Sequence, residues 1–245
     1  MNVTQLILGF LIFFSAAMLQ GITGFGFSLL AVPLLTFFLP PKIVIPIMLL
    51  LSIPLNIAVI FSHLKSVNFR KISLILFAGI IGMPIGTYFL VNVNDWIIKL
   101  GIGLLIITFG GLLLLGFQKK FKHEKITRLI IGFASGILGG AVSMSGPPIV
   151  LFLANNQERK NTFRVNLALY YFCLNLFIIP IYVLNNLLTP QVFSLSLTFL
   201  PALILGVIFG NLFAKKLPEN TFRKITLILL LIMGFMAVIS SFKIG

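Results

Sequence analysis

The chain has 245 residues, of which 59% are hydrophobic and 9% charged, with a formal net charge of +14 and a mean hydropathy of +1.16. That balance lies outside the range of soluble domains and marks an integral membrane protein. Its apolar runs are long and continuous, which excludes the alternating pattern of an outer-membrane barrel, and its cations sit in short connections where membrane orientation accounts for them without nucleic acid.

The fold class is therefore all-α and polytopic. The N-terminus, MNVTQLILGF, lacks the basic stretch that opens a secretory signal and is read as the first membrane segment. Apolar segments are expected at residues 4–20, 27–39, 45–64, 72–91, 96–117, 126–142, 149–153, 163–184, 192–214 and 222–242. Six of these are full spans. The other four flank two interruptions, LQGITGFGFSLLAVPLL at 19–35 and SGILGGAVSMSGPPIVL at 135–151. Gly21, Gly24 and Gly26 are expected to break the helix in the first. Inside a membrane an irregular backbone survives only where protein or a water-filled cavity satisfies its polar groups, so such breaks mark binding sites.

Charge decides how each interrupted unit lies. If each enters and leaves on one side, fifteen of the eighteen basic residues fall on a single face: Lys65, Arg70, Lys71, Lys119, Lys120, Lys122, Lys125, Arg128, Arg159, Lys160, Arg164, Lys215, Lys216, Arg223 and Lys224. Lys42, Lys99 and Lys243 remain on the other. The units are then hairpins, with both termini outside. The first opens outward and the second toward the cytoplasm, each followed by three spans, so the halves at 1–125 and 126–245 have inverted topology. Gly21 and Gly140 lie 119 positions apart, the same offset carries Leu55-Asn56 onto Leu174-Asn175, and an offset of 124 carries Gly82 and Gly86 onto Gly206 and Gly210.

GITGFGFSLLAVPLL, SGILGGAVSMSGPPIVLFL and the following FRVNLALYYFCLNL resemble the sulfite exporter TauE/SafE family over essentially the whole chain. The resemblance implies transport of sulfur-containing anions such as sulfite, thiosulfate and sulfonates. By position it carries over Gly21, Gly24, Gly26 and Pro33 in the first motif, and Gly139, Gly140, Gly146, Pro147 and Pro148 in the second. The chain departs from the more glycine-rich second break of many members at Ser143 and Ser145.

The breaks offer backbone N–H groups and positive dipole ends to an anion, from arms beginning near Phe27 and Ile149. Thr23, Ser28, Ser143 and Ser145 would add hydroxyl donors, or else bond only to neighbouring backbone. Gln20, Asn56 and Asn175 are amides in apolar surroundings that either donate to substrate or satisfy freed carbonyls. Arg164 is weighed as a cationic mouth for anions against an ordinary interfacial anchor beside Arg159 and Lys160, with the anchor favoured. Tyr170 and Tyr171 are read chiefly as packing.

The four acids, Asp95, Glu124, Glu158 and Glu219, and the two histidines, His63 and His123, fall in connections or at span ends. A carboxylate proton relay, a metal centre and a hydrolytic pair are thereby disfavoured, and no P-loop is present. The single cysteine, Cys173, excludes an internal disulfide. No enzyme activity or cofactor is expected. The expected function is a secondary transporter or facilitator of a small anion across the cytoplasmic membrane, with export favoured; a receptor or assembly partner, and an anion channel, are the alternatives. Membrane lipid is the other expected partner, and a homo-oligomer is compatible with the sequence.

Overall fold

In a computed structural model that describes residues 2–62, 64–114, 124–155, 159–216 and 218, the described residues form nine α-helices and one short 3-10 turn at Leu64–Ser66. The helices are α1 (Val3–Thr23), α2 (Phe27–Leu35), α3 (Pro41–Ser62), α4 (Phe69–Asn92), α5 (Asp95–Leu114), α6 (Glu124–Val142), α7 (Gly146–Asn155), α8 (Lys160–Leu184) and α9 (Pro190–Lys216). No strand occurs among the described residues. The expected segment at 222–242, together with His63, His123, Glu158 and Glu219, lies outside them.

Among the described residues six helices, α1, α3, α4, α6, α8 and α9, are long and apolar enough to cross a membrane. Large apolar side chains such as Phe61, Phe77, Ile81, Leu197 and Phe213 are exposed on their outer faces, which is where hydrocarbon, not water, would be the solvent. The two arms at each break differ in length. The first arm is long, 21 residues in α1 and 19 in α6, and only the second is short, 9 residues in α2 and 10 in α7. Gly21 does not break α1; it stays helical and uses its missing Cβ for packing, since a Cβ there would lie 2.9 Å from Cα of Gly210 on α9. The break falls instead at Gly24 and Gly26, whose φ values of 85° and 100° are left-handed. In the second unit the helix resumes at Gly146, earlier than expected, because Pro147 and Pro148 suit a first turn whose N–H groups need no partner.

Both short arms fold back. The Arg128 guanidinium carbon sits 5.9 Å from the Phe152 ring centre, whereas a straight continuation would separate these residues by about 36 Å at 1.5 Å per residue. In the first unit the Phe13 and Phe27 rings are 6.1 Å apart across the break. Each unit is thus a hairpin.

Neighbouring contacts fix the directions. A Cβ on Gly206 would meet the carbonyl of Phe14 and one on Gly210 that of Met18, so α1 runs parallel to α9; Gly82 and Gly86 meet the carbonyls of Phe133 and Ile137 in the same way, so α6 runs parallel to α4. These two crossings use residues related by the 119 and 124 offsets. Lys42 Nζ donates to the carbonyl of Val91 at 3.0 Å, setting α3 antiparallel to α4, and Lys160 reaches the carbonyl of Ala214, setting α8 antiparallel to α9. Contacts from Asn175 to Ser52 and from Asn68 N–H to Asn166 set α3 antiparallel to α8. It follows that α1 and α6 point in opposite directions. Gly21 lies level with Gly210 and Gly140 level with Gly86, each six residues before the end of the neighbouring helix.

Candidate functional site

The two tips meet in one cavity. It is lined by Gln20, Gly26, Ser28 and Leu29 of the first hairpin and Gly139, Ser143, Met144, Ser145 and Gly146 of the second. Leu49, Ser52 and Asn56 of α3, Met83 of α4, and Tyr171, Asn175, Ile178 and Tyr182 of α8 complete it. The volume is about 40 Å3, several times the ~10–15 Å3 that holds one water. Ser52, Asn56, Met83 and Asn175 all lie in the inner turns of spanning helices, away from either end.

Local chemistry explains the tips. Thr23 closes α1: its hydroxyl lies 2.9 Å from the carbonyl of Leu19 and 2.6 Å from that of Phe25, and it accepts from the Phe25 N–H at 3.2 Å. Gly26 caps α2 without any side-chain bond, and the Phe27 N–H goes to Gln20 Oε1 at 3.3 Å. Helix geometry leaves the next N–H groups, of Ser28 and Leu29, without intrahelical partners. In the second tip Ser143 holds a left-handed φ of 57°, 119 positions after Gly24, and Ser135 donates to the carbonyl of Ser145 while receiving a bond from Tyr170 at 2.8 Å.

Two polar atoms in this cavity are left over. Gln20 Nε2 donates to Asn56 Oδ1 at 2.7 Å, which leaves Asn56 Nδ2 buried without a partner, and the Tyr171 hydroxyl is also buried and unpartnered. Asn175 Nδ2 is engaged by Ser52 at 2.6 Å. An unpaired donor in hydrocarbon costs about 1–3 kcal/mol, so these two groups point to an occupant rich in acceptors. Among the described residues no charged side chain lines the cavity.

The structure brings together Gln20, Gly26, Ser28, Asn56, Ser143, Ser145, Gly146 and Asn175 of the residues singled out by sequence, and it places Gly21, Thr23, Gly24, Gly140, Pro147 and Arg164 elsewhere. Gly21 and Gly140 serve the helix crossings, and Gly24 abuts the backbone of Arg164, where a Cβ would lie 2.7 Å from Cα. Pro147 belongs to the first turn of α7. Arg164 corrects both of its readings: it is 1% exposed, so it is not an interfacial anchor, and it faces the first tip instead of an open mouth. Its Nη2 donates to the carbonyl of Gly21 and to Asn211 Oδ1, the latter at 2.8 Å. Of the other polar residues in the lining, sequence reads Tyr171 chiefly as packing and does not single out Ser52 or Tyr182. Spacing alone held a signal for Ser52, which precedes Asn56 by one helical turn.

The sulfite exporter TauE/SafE family model matches residues 8–237. The chain belongs to the sulfite exporter TauE/SafE family. It is accordingly a multi-pass membrane transporter of sulfite or related anions, and not an enzyme. No curated protein and no solved structure matches it.

Proposed function

We propose that this TauE/SafE protein is a secondary carrier that moves a small sulfur oxyanion or organosulfonate across the cytoplasmic membrane by alternating access, binding it between the two hairpin tips. The observation that carries this reading is the pair of unpartnered donors, Asn56 Nδ2 and Tyr171 OH, in a cavity flanked by the N-terminal ends of α2 and α7. Neutral donors and dipole ends hold an oxyanion without trapping it. The halves 1–125 and 126–245 act as inverted repeats; the matched glycine crossings and the opposed directions of α1 and α6 support this. The basic connections face the cytoplasm and both termini lie outside. Export is the favoured direction, since an anion leaving a cell gains about 2.3 kcal/mol per charge per 100 mV.

Counterflow tests the reading. Vesicles holding purified protein and unlabelled sulfite should accumulate external labelled sulfite above its equilibrium level, and Ser145→Leu, which fills the cavity, should abolish this. Labelled sulfite that merely equilibrates would indicate a channel.

A further inference from the structure

We infer that the cavity selects singly charged anions, so that sulfite is carried as its protonated monoanion and fixed dianions such as sulfate are rejected. This rests on the carrier reading above and adds the charge state of its substrate. The positive character of the site comes from two helix N-termini, those of α2 and α7, of 9 and 10 residues. Each is equivalent to roughly half an elementary charge, so together they offset at most about one negative charge, with the C-terminal ends of α1 and α6 opposing them. Among the described residues no cationic side chain lines the cavity. The side chains of Asn56 and Tyr171, 0% and 9% exposed, are neutral donors aimed at the same space. The guanidinium of Arg164 donates to the Gly21 carbonyl and Asn211 behind the first tip and does not line the cavity, and Arg128 pairs with Glu124 near the start of α6.

A second charge on the substrate would thus enter a cavity with no counter-charge in its lining. The desolvation penalty grows with the square of the charge, and the Coulombic return from fixed dipoles grows only linearly. The hydroxyls of Ser28, Ser143 and Ser145 accept as well as donate, which suits an anion bearing its own acidic proton. Leu29, Leu49, Met83, Met144 and Ile178 line the remainder, and an apolar wall disfavours a second charge while tolerating a methyl group. Each monoanion exported also moves one charge through the membrane potential instead of two.

Sulfite gains a proton near neutral pH, whereas methanesulfonate is a monoanion and sulfate a dianion throughout that range. The cavity's titratable side chains are Tyr171 and Tyr182, and tyrosine ordinarily titrates near pH 10. Methanesulfonate therefore reports any effect of pH on the protein itself. Exchange of labelled sulfite and labelled methanesulfonate is measured in proteoliposomes at about pH 8 and about pH 6, with unlabelled sulfate as competitor. The ratio of sulfite to methanesulfonate exchange should rise roughly seven- to tenfold on acidification as the monoanion fraction grows, and sulfate should not compete. A flat or falling ratio, or competition by sulfate equal to that by unlabelled methanesulfonate, would overturn charge selection while leaving the carrier standing. Loss of exchange for both anions from folded protein would overturn the carrier and this inference together.

Discussion

Arg164 on α8 donates to the carbonyl of Gly21 at the end of α1, and Tyr182 on the same helix donates to the carbonyl of Gly140, 119 positions later, at 2.9 Å. The two hairpin tips are therefore tied to one helix, the first by a cation and the second by a neutral phenol. Arg164 is a positioning residue. Arg164→Met strips the Gly21 carbonyl and Asn211 of their donor, at about 1–3 kcal/mol; a thermal scan in detergent should show the loss. Exchange should slow while the KM for sulfite stays unchanged, since Arg164 does not line the cavity. Arg164→Lys, which keeps the charge but not the planar fork, should fall between. A raised KM in either variant would instead place Arg164 on the anion.

The tyrosines separate stability from binding. Tyr182→Phe leaves the buried Gly140 carbonyl without its donor, an expected cost of about 1–3 kcal/mol, seen as a lower melting temperature. Tyr171→Phe removes a hydroxyl that has no protein partner, so the melting temperature should hold or rise. Its KM for the anion should increase about tenfold, the scale of one hydrogen bond to a charged group.

Glycines at the crossings should be intolerant for steric reasons alone. Gly21→Leu and Gly140→Leu drive a side chain into the backbone of α9 and α4 respectively, costing about 1–3 kcal/mol or more. Gly101→Leu on α5, where no atom lies within 4 Å, should shift stability by less than about 0.5 kcal/mol. Yield and melting temperature of the three variants check this.

Orientation can be read with an impermeant thiol reagent on intact cells. In a Cys173→Ser background, Asn186→Cys should label from outside, and Arg70→Cys only after the membrane is opened. Both positions are exposed in the structure. The reverse pattern would invert the assigned topology.

Much of this site was legible because membranes make certain residues expensive. Glycine and proline clusters inside apolar runs located both breaks, and amides in the same surroundings singled out Gln20, Asn56 and Asn175, all of which line the cavity. Tyr171 and Ser52 were not legible, since a tyrosine or serine in a spanning helix ordinarily packs or bonds to its own backbone, and only the rotation of α3 and α8 decides what it faces. Arg164 misled for a different reason. Its neighbours in sequence are basic and interfacial, but its partners Gly21 and Asn211 lie 143 and 47 positions away. Gly21 looked like part of the break because sequence cannot distinguish a glycine that unwinds a helix from one that admits another helix.

The central claim, that an anion sits against Asn56 and Tyr171 between the tips, is tested most directly by the KM for sulfite in counterflow with Asn56→Asp and Tyr171→Phe combined. The carboxylate still accepts from Gln20 but replaces a donor with a negative charge, and the phenyl ring keeps the packing. The double variant is expected to remain folded and to lose saturable exchange, with KM raised by about 100-fold or more from two lost charge-assisted bonds. A folded double variant with unchanged KM would contradict the account.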